Sequence, residues 1–93
     1  MSRKISEYIE NYYIPLMKLD SNSLSIKNFI EDVKGAEETR VTDSIVKSYQ
    51  SLVDYIRANV QDKKPINVYF NRMRCDIQHT FSNESMLPYV YFV

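Results

Sequence analysis

The only histidine of this chain, His79, follows Arg74 by five positions in the run Arg-Cys-Asp-Ile-Gln-His. A histidine can move a proton near neutral pH because its unperturbed pKa is about 6.5. The planar guanidinium of an arginine matches the oxygens of a phosphate. These two groups together have the chemistry needed to cleave RNA without a metal ion. We therefore take Arg74 and His79 as candidate catalytic residues.

Three polar residues near this pair could complete such a site. Asp76 precedes His79 by three positions, a spacing at which side chains meet on a helix, so its carboxylate could fix the tautomer of the imidazole. Asn71 and Arg72 lie about one turn earlier and could bind the phosphate or ribose of a substrate. The candidate site thus has Arg74, His79 and Asp76 as catalytic residues, with Asn71 and Arg72 binding substrate.

The spacing of Arg74 and His79 has a consequence for assembly. Residues five apart on an ideal helix are rotated by about 140° from each other. The two side chains therefore do not lie on one face, and they converge only if they border one groove or if a second copy of the helix supplies the partner residues. This geometry predicts a homodimer with a composite site.

The elements that would position these residues are predicted to be helices, because apolar residues recur every three to four positions. Pro15 and Gly35 are expected to end the first two helices, and Pro65 suits the beginning of the fourth. The pattern predicts helices at about residues 2–14, 24–34, 43–61 and 66–80, with a charged loop over 36–41. Between 66 and 72 the apolar residues also alternate, so a strand followed by a shorter helix is an alternative.

The last eight residues, 86–93, form an apolar segment of extended character, which we call the tail. An apolar segment of this kind packs on the helices, adds a short strand or lies in an oligomer interface. Tyr89, Tyr91 and Phe92 are its candidate interface residues. The sequence thus predicts a mostly α, four-helix bundle-like single domain with a short apolar extended segment at its end.

Charge and composition limit the functions that this chain can have. It carries 12 basic and 12 acidic residues, whereas proteins that bind long nucleic acids usually have a basic excess. Any contact with RNA must then be local, for example along the basic stretch 63–74. The single glycine excludes a glycine-rich phosphate loop, and the single cysteine excludes an intrachain disulfide. Eight tyrosines favour packing at the edge of the core over base stacking.

We expect no metal and no cofactor. Cys75 and His79 are four positions apart, but a zinc site needs about four ligands and the chain has no second cysteine or histidine. The sequence shows neither a signal peptide nor an apolar run of the length that a membrane span needs. We therefore expect a cytoplasmic protein without membrane association.

The run that contains Arg74 and His79 resembles the Arg-x4–6-His signature of HEPN domains, and it also shares an Asp-Ile pair, Asp76 and Ile77, before the histidine. The chain departs from the family pattern at Cys75 and Thr80. The resemblance implies an all-helical, metal-independent endoribonuclease, or an inactive relative, in which two motifs meet at a dimer interface. It also implies a toxin or defence context.

The alternative hypothesis is a non-enzymatic protein that binds another protein. A phage-type inhibitor, an immunity protein or a regulatory protein would fit the small size, the neutral charge, the tyrosines and the apolar tail. The surroundings of Arg74 and His79 discriminate between the two. If both line one cleft across a two-fold axis, the ribonuclease is favoured, whereas a His79 that faces bulk solvent or packs in the core favours the binding protein.

Overall fold

The computed structural model describes residues 4–39, 42–81 and 86–93. Within these ranges the chain is helical and has no strand. Helix α1 runs through Ile5–Tyr8, Ile9–Tyr13 and Ile14–Leu16, and α2, α3 and α4 span Leu24–Thr39, Asp43–Asn59 and Lys64–Phe81. The tail follows as a non-helical segment. The predicted mostly α, bundle-like fold is confirmed.

A single hydrophobic core joins all four helices and the tail. Burying one large apolar side chain contributes about 1.5–3 kcal/mol, so a core of this kind is the main source of stability. The largest side chains with almost no exposure come from every element: Ile9, Ile14, Ile26, Phe29, Ile45, Tyr49, Leu52, Ile56, Phe70, Met73, Ile77 and Phe92.

Helix α1 continues past its predicted end at residue 14 and stops at Leu16. The reason is a π-helical turn over Ile9–Tyr13, in which the N–H of Ile14 donates to the carbonyl of Ile9. Pro15 has no N–H, and the wider turn directly before it lets the helix continue through the proline. The predicted beginning at residue 2 lies outside the described residues.

The end of α1 is closed by a Schellman motif. The N–H of Leu19 donates to the carbonyl of Ile14 at 3.2 Å, and the N–H of Lys18 donates to that of Pro15 at 3.1 Å. Lys18 has a φ of 56°, the left-handed conformation that this motif requires. Leu19 and Ile14 are both buried, which supplies the apolar contact that accompanies the motif.

Helix α2 extends to Thr39. The predicted helix end at Gly35 is therefore wrong, and so is the predicted loop over residues 36–39. The helix passes through Gly35 because the next turn has its own buried contacts. Ala36 is 1 % exposed. The carboxylate of Glu37 accepts hydrogen bonds from the N–H and the hydroxyl of Ser6 at 2.8 and 2.7 Å, which satisfies donors in the first turn of α1. Residues 40 and 41 lie outside the described residues.

We expect Gly35→Ala to raise the free energy of unfolding by about 0.5–1 kcal/mol, because glycine inside a helix is less favourable than alanine. Among the described residues, apart from the glycine, its chain neighbours and the adjacent backbone of its own helix, no atom lies within 4 Å of the position that an added Cβ would take. Chemical denaturation of the two proteins measures the difference. A destabilised Gly35→Ala protein would contradict a helix that runs through this position.

Helix α4 settles the open alternative at residues 66–72 in favour of a helix. Ile66, Phe70, Met73 and Ile77 are buried at helical spacing, whereas Val68 is 59 % exposed. An alternating strand would have placed Val68 on the same side as Ile66 and Phe70. Helix α4 begins at Lys64 and ends at Phe81, slightly beyond both predicted limits. Helix α3 ends at Asn59, two residues before its predicted limit.

The tail packs on the helices through three of its side chains. Leu87, Val90 and Phe92 are 3, 7 and 2 % exposed, whereas Tyr89 and Tyr91 are 61 and 64 % exposed. The ring of Phe92 packs edge-on against Phe70, with ring centroids 5.5 Å apart. Phe92, expected at an interface, therefore lies in the core of its own chain, and only Tyr89 and Tyr91 of the three remain accessible to a partner.

In the described ranges, no helix combines the length and the apolar character that are needed to cross a bilayer.

Candidate functional site

A row of polar side chains on α4 fastens the tail to the helix. The row consists of Asn67, Asn71, Arg74 and Gln78, whose spacings of four, three and four place them on one face. Asn67 binds both main-chain groups of Phe92: its amide donates to the carbonyl, and its oxygen accepts from the N–H at 2.7 Å. The amide of Gln78 donates to the carbonyl of Leu87 at 3.2 Å. We call these four residues the polar row.

Arg74, the predicted catalytic arginine, belongs to this row. One Nη donates to Oε1 of Gln78 at 2.9 Å, and the guanidinium carbon lies 5.3 Å from the centroid of the Tyr89 ring. The other Nη lies 3.7 Å from the Sγ of Cys75. The Nε of Arg74 is buried without a hydrogen-bond partner among the described residues. In this chain the guanidinium therefore contacts the tail through the ring of Tyr89.

His79, the predicted general acid or base, lies elsewhere. It occupies the last turn of α4 and is exposed. No described residue forms a hydrogen bond with its imidazole. A basic side chain in the last turn of a helix interacts favourably with the helix dipole, which is sufficient to account for this position. Arg74 and His79 thus do not meet within one chain, as their rotation about the helix requires.

A cleft of about 470 Å³ lies between α1 and α4, with aromatic walls on the α1 side. Tyr8 and Tyr12 stack with ring centroids 4.7 Å apart and planes at 10°. Tyr13 meets both rings edge-on at 5.1 Å. The π-helical turn determines this arrangement, because its wider spacing sets the directions of the side chains over Ile9–Tyr13. Such turns are frequent at functional sites.

The α4 side of the cleft is polar. It is lined by Asn71, Arg72, Cys75 and Asp76. Together with Tyr8, Tyr12 and Tyr13 these residues form what we call the tyrosine cleft. Arg72 is exposed, and Oδ1 of Asn71 is buried without a hydrogen-bond partner among the described residues.

Tyr13 and Asp76 join the two walls, because the Tyr13 hydroxyl donates a hydrogen bond to Oδ2 of Asp76. Burial and this neighbouring carboxylate raise the pKa of Tyr13 above its usual value. Burial also raises the pKa of Tyr49, whose hydroxyl donates to the carbonyl of Pro88 at 3.1 Å. The carboxylate of Asp76, predicted to orient His79, therefore holds a tyrosine of α1 in this structure.

We expect the free energy of unfolding to fall as the pH rises above about 10, the usual pKa of tyrosine. Because the pKa of Tyr13 is raised in the folded protein, its hydroxyl keeps its proton at a pH at which the same hydroxyl has lost it in the unfolded chain. Ionisation of Tyr13 therefore favours the unfolded state. Tyr13→Phe should make this fall less steep, whereas Tyr91→Phe, at an exposed hydroxyl, should leave it unchanged. Urea denaturation across the alkaline range measures both slopes. Equal slopes for Tyr13→Phe and the parent protein would contradict the arrangement.

Arg72, and not Arg74, shares a helix face with His79. Residues seven apart differ by only about 20° around an α-helix, and they are separated by about 10 Å along its axis. Asp76 lies between them on that face, and Arg72 and Asp76 both line the tyrosine cleft. Of the predicted site residues, the structure thus brings Asn71, Arg72 and Asp76 together, places His79 one turn beyond them, and turns Arg74 towards the tail.

Comparison with known proteins gives no match, because no family model, no curated protein and no solved structure is similar to this chain. Among the described residues, no three His, Cys, Asp or Glu side chains lie together as metal ligands would.

Proposed function

We propose that this chain is a non-enzymatic protein-binding domain that contacts its partner through the tyrosine cleft. A small inhibitor, an immunity protein or a regulatory protein would each use such a surface. The observation that carries the proposal is the separation of the predicted catalytic pair: Arg74 is bound to Gln78 and covered by Tyr89, while His79 is exposed. Within the single chain, these two side chains therefore have different surroundings.

The composition of the cleft supports a protein partner. Tyrosine and arginine are the residue types most enriched at the energetic centres of protein interfaces, and tyrosine loses little conformational entropy when it is bound. Tyr12 is 40 % exposed beside Arg72. The stacking and edge contacts among Tyr8, Tyr12 and Tyr13 hold the rings in place before binding, which lowers the entropic cost of association. The net charge of zero disfavours RNA as the main partner.

Affinity capture tests the proposal. The intact protein and its Tyr12→Ala and Arg72→Ala variants are used to capture proteins from an extract of the cells that produce it. Leu24→Ala is the matched control, since Leu24 is 72 % exposed and does not line the cleft. We expect a partner that is retained by the parent and by Leu24→Ala but is lost with both cleft variants. Equal recovery with all four proteins would refute a role for the cleft.

A metal-independent endoribonuclease of HEPN type is the second candidate, and one observation favours it. Arg72, Asp76 and His79 lie on one face of α4, and Arg72 and Asp76 line a cleft with Tyr12, which is 40 % exposed. This arrangement resembles a surface that binds phosphate and stacks a base. In this version Arg72 takes the role that the sequence had assigned to Arg74. A second copy of the chain would complete the site.

Cleavage of single-stranded RNA in the presence of a metal chelator tests this candidate. If the chain is this ribonuclease, the Arg72→Ala and His79→Ala variants should lose RNA cleavage. The Arg74→Ala variant should retain cleavage in proportion to its folded fraction. Loss of activity in Arg74→Ala and full activity in Arg72→Ala would instead support the pair predicted from the sequence. Absence of cleavage by the parent protein removes the candidate.

A further inference from the structure

The tail exposes one edge of its main chain. From residue 89 to residue 93 exposed and buried side chains alternate, which is the period of an extended chain. In such a chain the N–H and C=O groups of successive residues point to opposite edges. The main-chain N–H and C=O groups of Phe92 point to the edge that faces α4, because Asn67 binds both of them. The main-chain groups of Tyr89, Tyr91 and Val93 accordingly point to the other edge.

That second edge is unpaired within the described residues. None of them forms a hydrogen bond with a main-chain group of Tyr89, Tyr91 or Val93, and the side chains of these three are 61, 64 and 97 % exposed. The polar row and Tyr49 bind only Leu87, Pro88 and Phe92 of the tail's main chain. The tail is therefore anchored on one side and open on the other.

The sequence of this edge lacks the features that normally prevent pairing. Exposed edge strands are usually protected by lysines, prolines or bulges. The segment Tyr-Val-Tyr-Phe-Val has no charged residue and no proline, and its residues all favour strands.

We propose that residues 89–93 pair with the same segment of a second copy of this chain, in an antiparallel arrangement about a two-fold axis at Tyr91. A segment without charged side chains can face its own copy without repulsion, and antiparallel pairing of identical segments is self-complementary. The net charge of zero removes long-range repulsion between the two copies.

The two-fold axis at Tyr91 pairs all three residues of the open edge and so defines the register. Tyr91 exchanges two hydrogen bonds with Tyr91 of the second copy, and Tyr89 pairs with Val93. The two Tyr91 Cα atoms are then about 5.5 Å apart, within the range that a disulfide can span. The two Tyr89 Cα atoms are about 14 Å apart, because four positions along a strand and the spacing between the two strands separate them. The pairing uses the main chain of the tail and no residue of the tyrosine cleft, so it does not rest on the proposed protein-binding role.

Two cysteine variants of the full-length chain test the register. Both carry Cys75→Ser, which removes the only native cysteine. Under mild oxidation we expect Tyr91→Cys to form a covalent dimer with itself and Tyr89→Cys to remain unlinked. Equal cross-linking of the two variants, or of neither, overturns the proposal.

Sedimentation of the untagged protein supplies a second test. We expect a dimer for the parent and for Tyr91→Phe, which keeps the main-chain groups. Tyr91→Pro removes the N–H that the pairing needs, so it should be monomeric. A parent that remains monomeric up to high concentration overturns the proposal, and so does a Tyr91→Pro protein that is still dimeric. The proposal is also overturned if residues 89–93 pair only with a strand of a different protein and not with a second copy of this chain.

Discussion

Replacing Phe92 with alanine is expected to lower the free energy of unfolding by about 3–5 kcal/mol, the usual cost of removing a buried phenylalanine. The ring is 2 % exposed, packs edge-on against Phe70, and has the guanidinium of Arg57 at 5.8 Å from its centroid. A loss of this size is a large part of the 5–15 kcal/mol that is typical of a small domain. Chemical denaturation measures it.

Val93→Ala is the matched control for Phe92, because Val93 is the next residue and is 97 % exposed. We expect this variant to change stability by no more than about 0.5 kcal/mol. If Phe92→Ala were as mild as Val93→Ala, the tail would not be part of the core. The docking of the tail by the polar row would then be incorrect.

The second large effect is a difference between two arginines on one helix. Arg74→Ala is expected to destabilise the fold by about 1–3 kcal/mol, because it removes a hydrogen bond to Gln78 and a cation–π contact with Tyr89. Arg72→Ala should change stability by less than about 0.5 kcal/mol, since this side chain is exposed. It should instead weaken the binding of a protein partner by about 2 kcal/mol, or roughly 30-fold, as expected for a central interface arginine.

Denaturation and partner affinity, measured on the same two preparations, separate these effects. The expected pattern is that each arginine affects only one of the two quantities. If Arg72→Ala lost as much stability as Arg74→Ala, the two faces of α4 would not have the distinct roles described here. If Arg74→Ala lost partner binding while it remained fully stable, the binding surface would have to include Arg74.

The fold class could be predicted from sequence because it depends on the spacing of apolar residues. Ile66, Phe70, Met73 and Ile77 determine the face of α4 whichever residues it packs against. The limits of the helices depend on tertiary contacts, and the spacing of apolar residues does not predict these contacts. Gly35 is a normal stop signal, but the pair Ser6 and Glu37 stabilises one more turn.

The candidate site was predictable only in part. That Arg74 and His79 lie on different faces follows from their spacing alone. The tail contact of Arg74 does not, because it requires Tyr89 to fold back over α4. The spacing of Asn67, Asn71, Arg74 and Gln78 was a signal that sequence reasoning missed: four polar residues at helical spacing mark a second contact face. The walls of the tyrosine cleft depend on a π-helical turn, for which no reliable sequence pattern exists.

Cys75 offers the most direct test of the proposed binding surface. It is exposed, lines the tyrosine cleft and is the only cysteine of the chain, so a photoactivatable cross-linker can be attached there without any substitution. The control is Leu24→Cys combined with Cys75→Ser, which carries the same cross-linker outside the cleft. In an extract of the producing cells, we expect Cys75 to cross-link one protein that the control does not reach. Identical products from both positions, or products with nucleic acid alone, would contradict a protein partner at the tyrosine cleft.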